Sequence, residues 1–174
     1  ATTPKLVVRN TGKAVLYPRL VLSGLPPVGR ETAAANGLGL EVQYLTPNDQ
    51  PLDPTRLVQG TDFKAVVKVT NNGTRGDYRH LALTQVAASG WEIRNDRLDP
   101  SRRRAALPFA YQDVRDDRVL TYFDLKAGET KAVEVAFNAS YLGRFYLPLL
   151  AVEAMYDASL NARAKGAWVE VVTP

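Results

Sequence analysis

An alternation of apolar and polar side chains runs through Asp62-Phe63-Lys64-Ala65-Val66-Val67-Lys68-Val69-Thr70. Successive side chains of a β-strand point to opposite faces, so the apolar residues at odd positions from Phe63 to Val69 would share one face. The next residues, Asn71-Asn72-Gly73, are types that tolerate the positive φ of tight turns. The pattern predicts a strand with one face in the core and one towards solvent.

The same alternation recurs along most of the chain. The segment 129–138 repeats it, and Ala127-Gly128 supplies a turn before it. Further strands are predicted at 5–10, 14–22, 40–45, 80–86, 91–94, 118–125, 144–152 and 167–172. Because each of these roughly ten antiparallel strands has one apolar face to bury, we predict an all-β fold, a two-sheet β-sandwich of the fibronectin or immunoglobulin type.

Three segments depart from this alternation. The segments 25–37 and 95–110 are rich in turn formers or charge and are predicted as long loops. The segment 157–163 is predicted as one helical turn, with Asp157 as its cap.

The domain organisation follows from these elements. We expect the sandwich to occupy residues 38–174. The irregular residues 1–37 either complete one of its sheets or form the end of a preceding domain, and the sequence leaves both open. The only methionine is Met155, so the chain lacks an initiator and we expect it to be part of a longer protein.

Composition excludes several kinds of chemistry. The chain has no cysteine, which excludes disulfides, a catalytic thiolate, a cysteine-ligated zinc and a thioester made from its own residues. The net charge is +4, but 22 basic residues are interleaved with 18 acidic ones, so we do not predict nucleic acid as a partner. No apolar run approaches the roughly 18 residues that span a bilayer, so we predict no membrane insertion by this chain.

The sequence also lacks the signatures of common active sites. Nucleophilic catalysis needs a base beside the nucleophile, and the single histidine, His80, stands at a strand entrance, where a lone histidine is usually structural. There is no Gly-x-Ser-x-Gly elbow, phosphate-binding glycine loop or His-Glu-x-x-His pair. We therefore predict no catalytic residue, no metal site and no cofactor.

Two polar motifs are predicted to form structural turns. One combines acids with arginines: Asp113, Arg115, Asp116, Asp117 and Arg118. A hydrolase or a calcium site would need its acids free, whereas these arginines can pair with them. The other motif, Arg75-Gly76-Asp77, matches the tripeptide that integrins bind, but a turn that needs glycine explains it better.

Segments of the C-terminal half carry a resemblance to a known family. They read Tyr111-Gln112-Asp113-Val114-Arg115-Asp116-Asp117-Arg118-Val119, Gly143-Arg144-Phe145-Tyr146-Leu147-Pro148 and Val152-Glu153-Ala154-Met155-Tyr156. Together with Gly60-Thr61-Asp62 and Ser89-Gly90-Trp91-Glu92-Ile93 upstream, their order resembles the C-terminal, tenth macroglobulin-like domain of bacterial alpha-2-macroglobulins. The resemblance covers residues 38–172 and implies a macroglobulin-like sandwich.

The resemblance implies a role in trapping proteases. In that family, cleavage of a bait segment triggers collapse, and many members then expose a thioester that links covalently to the protease. In relatives the last domain packs over the thioester, and a Met-Tyr pair keeps water away from it. Here the matching residues are Met155 and Tyr156, and the implied partners are the thioester domain of the same parent chain and the target proteases. The implied location is the bacterial cell envelope, as a periplasmic or lipid-anchored protein.

Other interpretations of the residues remain open at this stage. Met155 could be a core residue and Tyr156 a strand-end residue. The domain could instead belong to a cell-surface adhesin or bind carbohydrate, although alternation sends neighbouring aromatic residues such as Tyr122 and Phe123 to opposite faces. A hydrolase that uses the carboxylates between Asp113 and Asp117 is a third, remote hypothesis.

Overall fold

A computed structural model describes residues 6–21, 24, 27–94 and 109–174. These residues form strands and connecting loops and no helix, hence none long and apolar enough to cross a membrane. The strands are Ala34–Asn36 (β1), Leu38–Leu45 (β2), Arg56–Val58 (β3), Asp62–Asn71 (β4), Tyr78–Val86 (β5), Trp91–Arg94 (β6), Tyr111–Val114 (β7), Arg118–Leu125 (β8), Thr130–Ala139 (β9), Gly143–Leu147 (β10), Leu150–Ala154 (β11), Asp157–Ala164 (β12) and Ala167–Val172 (β13). The predicted all-β class is confirmed.

The strands are arranged in three sheets. One has six strands in the order β1-β12-β11-β5-β8-β7, a second has the order β2-β4-β9-β6, and a third has the order β10-β13-β3. Neighbouring strands are antiparallel except β13 and β3, which are parallel. The four-stranded sheet packs against both of the others, which gives the sandwich its two layers.

The alternation in β4 determines which face of the four-stranded sheet is buried. Phe63, Ala65, Val67 and Val69 are buried as predicted. Val66 lies on the opposite face and is nevertheless only 8% exposed, since it pairs with Gln43 on one side and Glu134 on the other. A central strand can bury a small side chain on its outer face in this way, because the longer neighbouring side chains cover it.

The core consists of two clusters that lie side by side between the layers. The first joins β4, β5, β8 and β11 through residues such as Val67, Leu83 and Val152, all 0% exposed. The second is aromatic: the ring of Phe63 lies 4.9 Å from that of Trp91, edge to face, and 5.5 Å from that of Phe137. Each fully buried aliphatic or aromatic side chain stabilises the fold by roughly 1.5–3 kcal/mol.

Four local predictions are wrong. The predicted strand 144–152 is two strands, β10 and β11, which belong to different sheets. Residues 6–21 contain no strand, because no described strand pairs with them and every described side chain there is exposed. The predicted helical turn at 157–163 is the strand β12, whose backbone pairs with β11 and β1 and so overrides a weak local preference. The predicted loop 25–37 contains β1, which pairs with the edge of β12. The predicted loop 95–110 lies outside the described residues up to 108.

Candidate functional site

Met155 and Tyr156 form the turn between β11 and β12. Ala154 pairs with Asp157, so only these two residues join the strands. The side chain of Met155 is 53% exposed and that of Tyr156 is 82% exposed. The interpretation of Met155 as a core residue is therefore wrong, and the two side chains form an exposed tip at one end of the six-stranded sheet. We refer to them as the Met-Tyr tip.

A bulge in β5 supports the Met-Tyr tip from one side. Tyr78 pairs with Leu125 and Leu81 pairs with Phe123, so Arg79 and His80 together lie opposite the single residue Asp124. His80 has a φ of 55°, in the left-handed region. Its backbone amide donates to Oδ1 of Asp124 at 2.8 Å, and its carbonyl accepts from the amide of Met155 at 3.0 Å.

The ring of His80 contacts the second residue of the tip. The centroids of the His80 and Tyr156 rings are 5.4 Å apart, and the ring planes meet at 87°. This is the T-shaped arrangement that aromatic pairs prefer. The position of His80 at a strand entrance in the sequence does not predict this contact. The pairing of β5 with β11, which creates it, has no local signature in the sequence.

Hydrogen bonds fix the other side of the tip. Oδ1 of Asp157 accepts from the amide of Ser159 at 2.9 Å and from its hydroxyl at 2.6 Å. These bonds lower the pKa of Asp157 below its ordinary value, and the bond from the Ser159 hydroxyl has the largest effect. Nη1 of Arg75 donates to Oγ of Ser159 at 2.8 Å, and Oδ1 of Asp77 accepts from the amide of Ala127. Both charged residues of the integrin-like tripeptide therefore have partners within the domain.

The acidic and arginine-rich turn lies at the other end of the same sheet. Nε of Arg115 pairs with Asp113 at 2.8 Å, and Arg118 grips both carboxylate oxygens of Asp117, its Nη2 at 2.6 Å. The hydrogen bond from Arg118 lowers the pKa of Asp117. Ion pairs between these arginines and acids fit the interpretation of the motif as a structural turn. β8 leads from this turn to Asp124, which binds His80 beside the Met-Tyr tip. The length of that strand places the turn and the tip about 20 Å apart.

An open cavity of about 550 Å³ adjoins the acidic turn. Its lining includes Trp91, Glu92, Asp117 and Tyr141. The hydroxyl of Tyr141 donates to Glu92 at 2.8 Å and lowers the pKa of that carboxyl, as Arg118 does for Asp117. Hydrolysis by paired carboxylates needs one whose pKa is raised, whereas the pKa of each of these two is lowered. The described residues also contain no group of three acids or histidines that could hold a metal.

Two exposed aromatic residues, Tyr111 and Trp168, pair with partly buried tyrosines on neighbouring strands. Tyr146 and Trp168 are register partners with ring planes at 65°, and Tyr111 and Tyr122 are partners in β7 and β8 with planes at 29°. A carbohydrate platform presents rings in one plane to the sugar, whereas the Tyr146 and Trp168 rings are strongly tilted. These pairs fit the interpretation as strand partners.

The two-layer arrangement and the unclosed antiparallel sheets define a macroglobulin-like β-sandwich of the immunoglobulin type. The family model for the bacterial alpha-2-macroglobulin MG10 domain matches residues 37–158, and the chain belongs to that family. Alpha-2-macroglobulins are a family of protease inhibitors and not of catalytic enzymes. The family that the sequence motifs indicate is thus confirmed.

Similar proteins agree with this assignment. Alpha-2-macroglobulin of Xylella fastidiosa (strain Temecula1 / ATCC 700964) is 26% identical over an alignment of 181 positions. The alignment covers 94% of this chain and 11% of that protein. Native Escherichia coli alpha-2-macroglobulin, from domain MG7 to the C-terminus, has a similar fold, with a TM-score of 0.73 at 18% identity over 87% of this chain and 25% of that one. Salmonella alpha-2-macroglobulin reacted with methylamine also has a TM-score of 0.73, at 22% identity over 87% of this chain and 10% of that one. The chain thus spans about a tenth of the length of its curated relative.

Proposed function

We propose that this domain packs its Met-Tyr tip over the thioester of a neighbouring domain in the same parent chain and shields that bond until a protease triggers activation. The parent would be an inhibitor of broad protease range in the bacterial cell envelope, exposed to the periplasm. The observation that carries the proposal is that Met155 and Tyr156 project from the end of a well-packed sheet while 53% and 82% exposed.

The chemistry of the tip suits this role. A thioester survives only where water is excluded, because water and small amines both attack its carbonyl carbon. The unbranched thioether of Met155 can fill an irregular apolar gap. Tyr156 combines an apolar ring with a hydroxyl that can bind a polar group at the rim. Burial of both side chains against a partner would remove apolar surface that the isolated domain leaves in water.

The strands that carry the tip also suit the shielding role. Met155 follows directly on β11, which is paired on both sides, with β5 and β12. A short turn on a central strand moves little relative to the sandwich, so the tip can keep a fixed position over the partner. Release would then require the whole domain to move, which fits a trap that opens in response to cleavage elsewhere in the parent chain.

The exposed residues 6–21 are a further argument for a neighbouring domain. Eight large apolar side chains are exposed in the segment 6–21: Leu6, Val7, Val8, Val15, Leu16, Tyr17, Leu20 and Val21. They stand in short consecutive runs, such as Leu6 to Val8 and Val15 to Tyr17, yet no described strand pairs with them. We infer that residues 6–21 pair with strands of a preceding domain of the parent chain, and that the sandwich itself begins near β1.

The proposal is tested in the parent protein by the rate at which methylamine consumes the thioester. Met155→Ala and Tyr156→Ala should each speed that reaction, because each opens a path for the amine. The matched control is Tyr141→Ala, since Tyr141 is also more than half exposed, at 55%, but lies at the other end of the sandwich. Rates equal to that of the unaltered protein in both tip variants would disprove the shielding role.

The alternative function, an adhesin or carbohydrate-binding module, rests on exposed aromatic residues such as Trp168. Trp168 is 47% exposed, but the guanidinium of Arg144 lies 4.8 Å from its ring centre and Tyr146 packs against its edge. These neighbours leave less of the indole face for a sugar, and we therefore prefer the inhibitor.

A further inference from the structure

The bulge in β5 gives His80 a position that a regular strand would not. Tyr78 and Leu81 are both buried in the core, at 2% and 0% exposure, so two residues lie between consecutive inward positions. An extra residue of this kind re-aims side chains and bends the strand. The left-handed φ of 55° at His80 accompanies the bulge, and the ring of His80 lies against that of Tyr156.

Asp124 holds the bulge in place. A bulge removes an amide from the ladder of the sheet, and here the carboxylate of Asp124 takes up the amide of His80 at 2.8 Å. The backbone carbonyl of Asp124 in turn accepts from Nζ of Lys131 at 2.7 Å. An unbroken series of contacts therefore leads from Lys131 on β9 through Asp124 and His80 to the tip.

The two residues of the tip are connected to His80 by different groups. The carbonyl of His80 accepts from the amide of Met155 at 3.0 Å, which fixes the backbone where the turn begins. The ring of His80 meets the ring of Tyr156, which otherwise has 82% of its surface in solvent and several rotamers open to it. The contact favours the rotamer that faces the imidazole.

We propose that His80, held by Asp124 in the left-handed bulge, is a positioning residue that sets the orientation of the Tyr156 ring before the tip meets its partner. The inference rests on the proposed function of the tip. A tip that is already ordered loses less side-chain freedom on docking, so the domain covers its partner more of the time.

The first test uses the 174-residue chain and does not depend on a thioester. Proton NMR should show nuclear Overhauser effects between the imidazole of His80 and the ring of Tyr156. His80→Gly permits the same positive φ and removes the ring, so it should move the Tyr156 ring shifts towards those of an unstructured peptide without lowering the melting temperature. Asp124→Ala should also weaken the effects and speed hydrogen exchange at the Met155 amide.

Asp49 provides a matched control, because it is the other described non-glycine residue with a positive φ. Asp49 has a φ of 62°, in a turn after β2, and pairs with Lys64 away from the tip. Asp49→Gly should leave the Tyr156 signals unchanged. The proposal is overturned if the unaltered chain shows no Overhauser effect between the two rings, or if His80→Gly leaves the Tyr156 shifts where they were.

The second test measures methylamine consumption in the parent protein. His80→Gly should speed thioester loss by roughly 2- to 10-fold, the range that corresponds to one edge-to-face aromatic contact. The double variant with Tyr156→Ala should react no faster than Tyr156→Ala alone, since His80 acts through Tyr156. If Tyr156→Ala speeds the reaction and His80→Gly does not, the positioning role is overturned and the shielding role stands. If Tyr156→Ala has no effect, Tyr156 does not contribute to shielding, and the NMR result alone decides whether His80 orients the ring; if Met155→Ala has none either, the shielding role as a whole fails.

Discussion

The ring of Phe145 lies directly against the backbone of Gly90, so closely that a Cβ atom on residue 90 would be 2.3 Å from Cε2 of the ring. Phe145 belongs to β10 in the three-stranded sheet, and Gly90 precedes β6 in the four-stranded sheet. The carbonyl of Gly90 also accepts from the amides of Ser140 and Tyr141, both at 3.0 Å. This one residue therefore joins two sheets of the sandwich through its lack of a side chain.

Gly90→Ala is predicted to destabilise the domain. The added methyl group would displace the Phe145 ring, and overpacking of this kind lowers the free energy of unfolding by about 1–3 kcal/mol. Urea denaturation followed by tryptophan fluorescence measures the change. Gly24→Ala is the matched control, since nothing lies within 4 Å of a Cβ atom there. A difference between the two variants below about 0.5 kcal/mol would contradict the prediction.

Gly90 also shows what the sequence could and could not predict. The motif around Gly90 and Trp91 points to the family, and the alternation in β4 and β9 predicts which side chains meet in the core, because both depend on local spacing. The contact of Gly90 with Phe145 and that of His80 with Tyr156 depend on which strands become neighbours. That arrangement is decided by packing of the whole chain, so neither contact has a local signature.

The errors in the sequence prediction have the same origin. Asp157 begins a segment with weak helical signals, but in the fold its backbone groups pair with those of two neighbouring strands. Residues 6–21 contain short runs of apolar and β-branched residues that favour strands, but no partner strand is present among the described residues. In both cases the available pairing partners outweighed the local preference.

Residue Glu31 should titrate at an unusually low pH. The hydroxyl of Tyr146 donates a hydrogen bond to the carboxylate of Glu31, and this bond is the main cause that lowers the pKa of Glu31. Because the pKa is lowered in the folded state, the contact stabilises the fold at pH values above the ordinary pKa of a glutamate. That stabilisation is lost as the pH falls through the lowered pKa. NMR titration of the carboxyl carbons should show that midpoint below the ordinary value.

Tyr146→Phe provides the comparison for that titration. Removal of the hydroxyl should move the Glu31 midpoint upward towards its ordinary value. Glu92 is the internal control, because its pKa is lowered mainly by Tyr141 and should not respond. If Glu31 titrates at the same pH in both proteins, the bond to Tyr146 is not the cause of its lowered pKa.

Two truncations should separate the parts of the first 36 residues. A chain that lacks residues 1–21 should melt at the same temperature as the full chain, because every described side chain from 6 to 21 is exposed. A chain that lacks residues 1–36 loses β1 and the Glu31 bond to Tyr146, so it should melt lower, by about 2–4 °C for every kcal/mol of stability lost at this chain length. Calorimetry measures both. Equal melting temperatures for the two truncated chains would show that the sandwich does not need β1.

Asn71 is predicted to be essential for the turn that follows β4. Its side chain is 0% exposed, and Nδ2 donates to the carbonyl of Gly76 at 2.8 Å and to that of Leu125 at 3.3 Å. Oδ1 accepts from the amide of Gly73 at 2.8 Å. Asn71→Ala would remove one buried and two partly buried hydrogen bonds to the backbone, so the free energy of unfolding should fall by about 1–3 kcal/mol in urea denaturation. Asn72→Ala, one residue further on and exposed, is the control and should change the free energy of unfolding by less than about 0.5 kcal/mol.

Because this turn lies at the same end of the sandwich as the Met-Tyr tip, Asn71→Ala should also speed hydrogen exchange at the Met155 amide. An unchanged rate there would show that the tip is held independently of the loop.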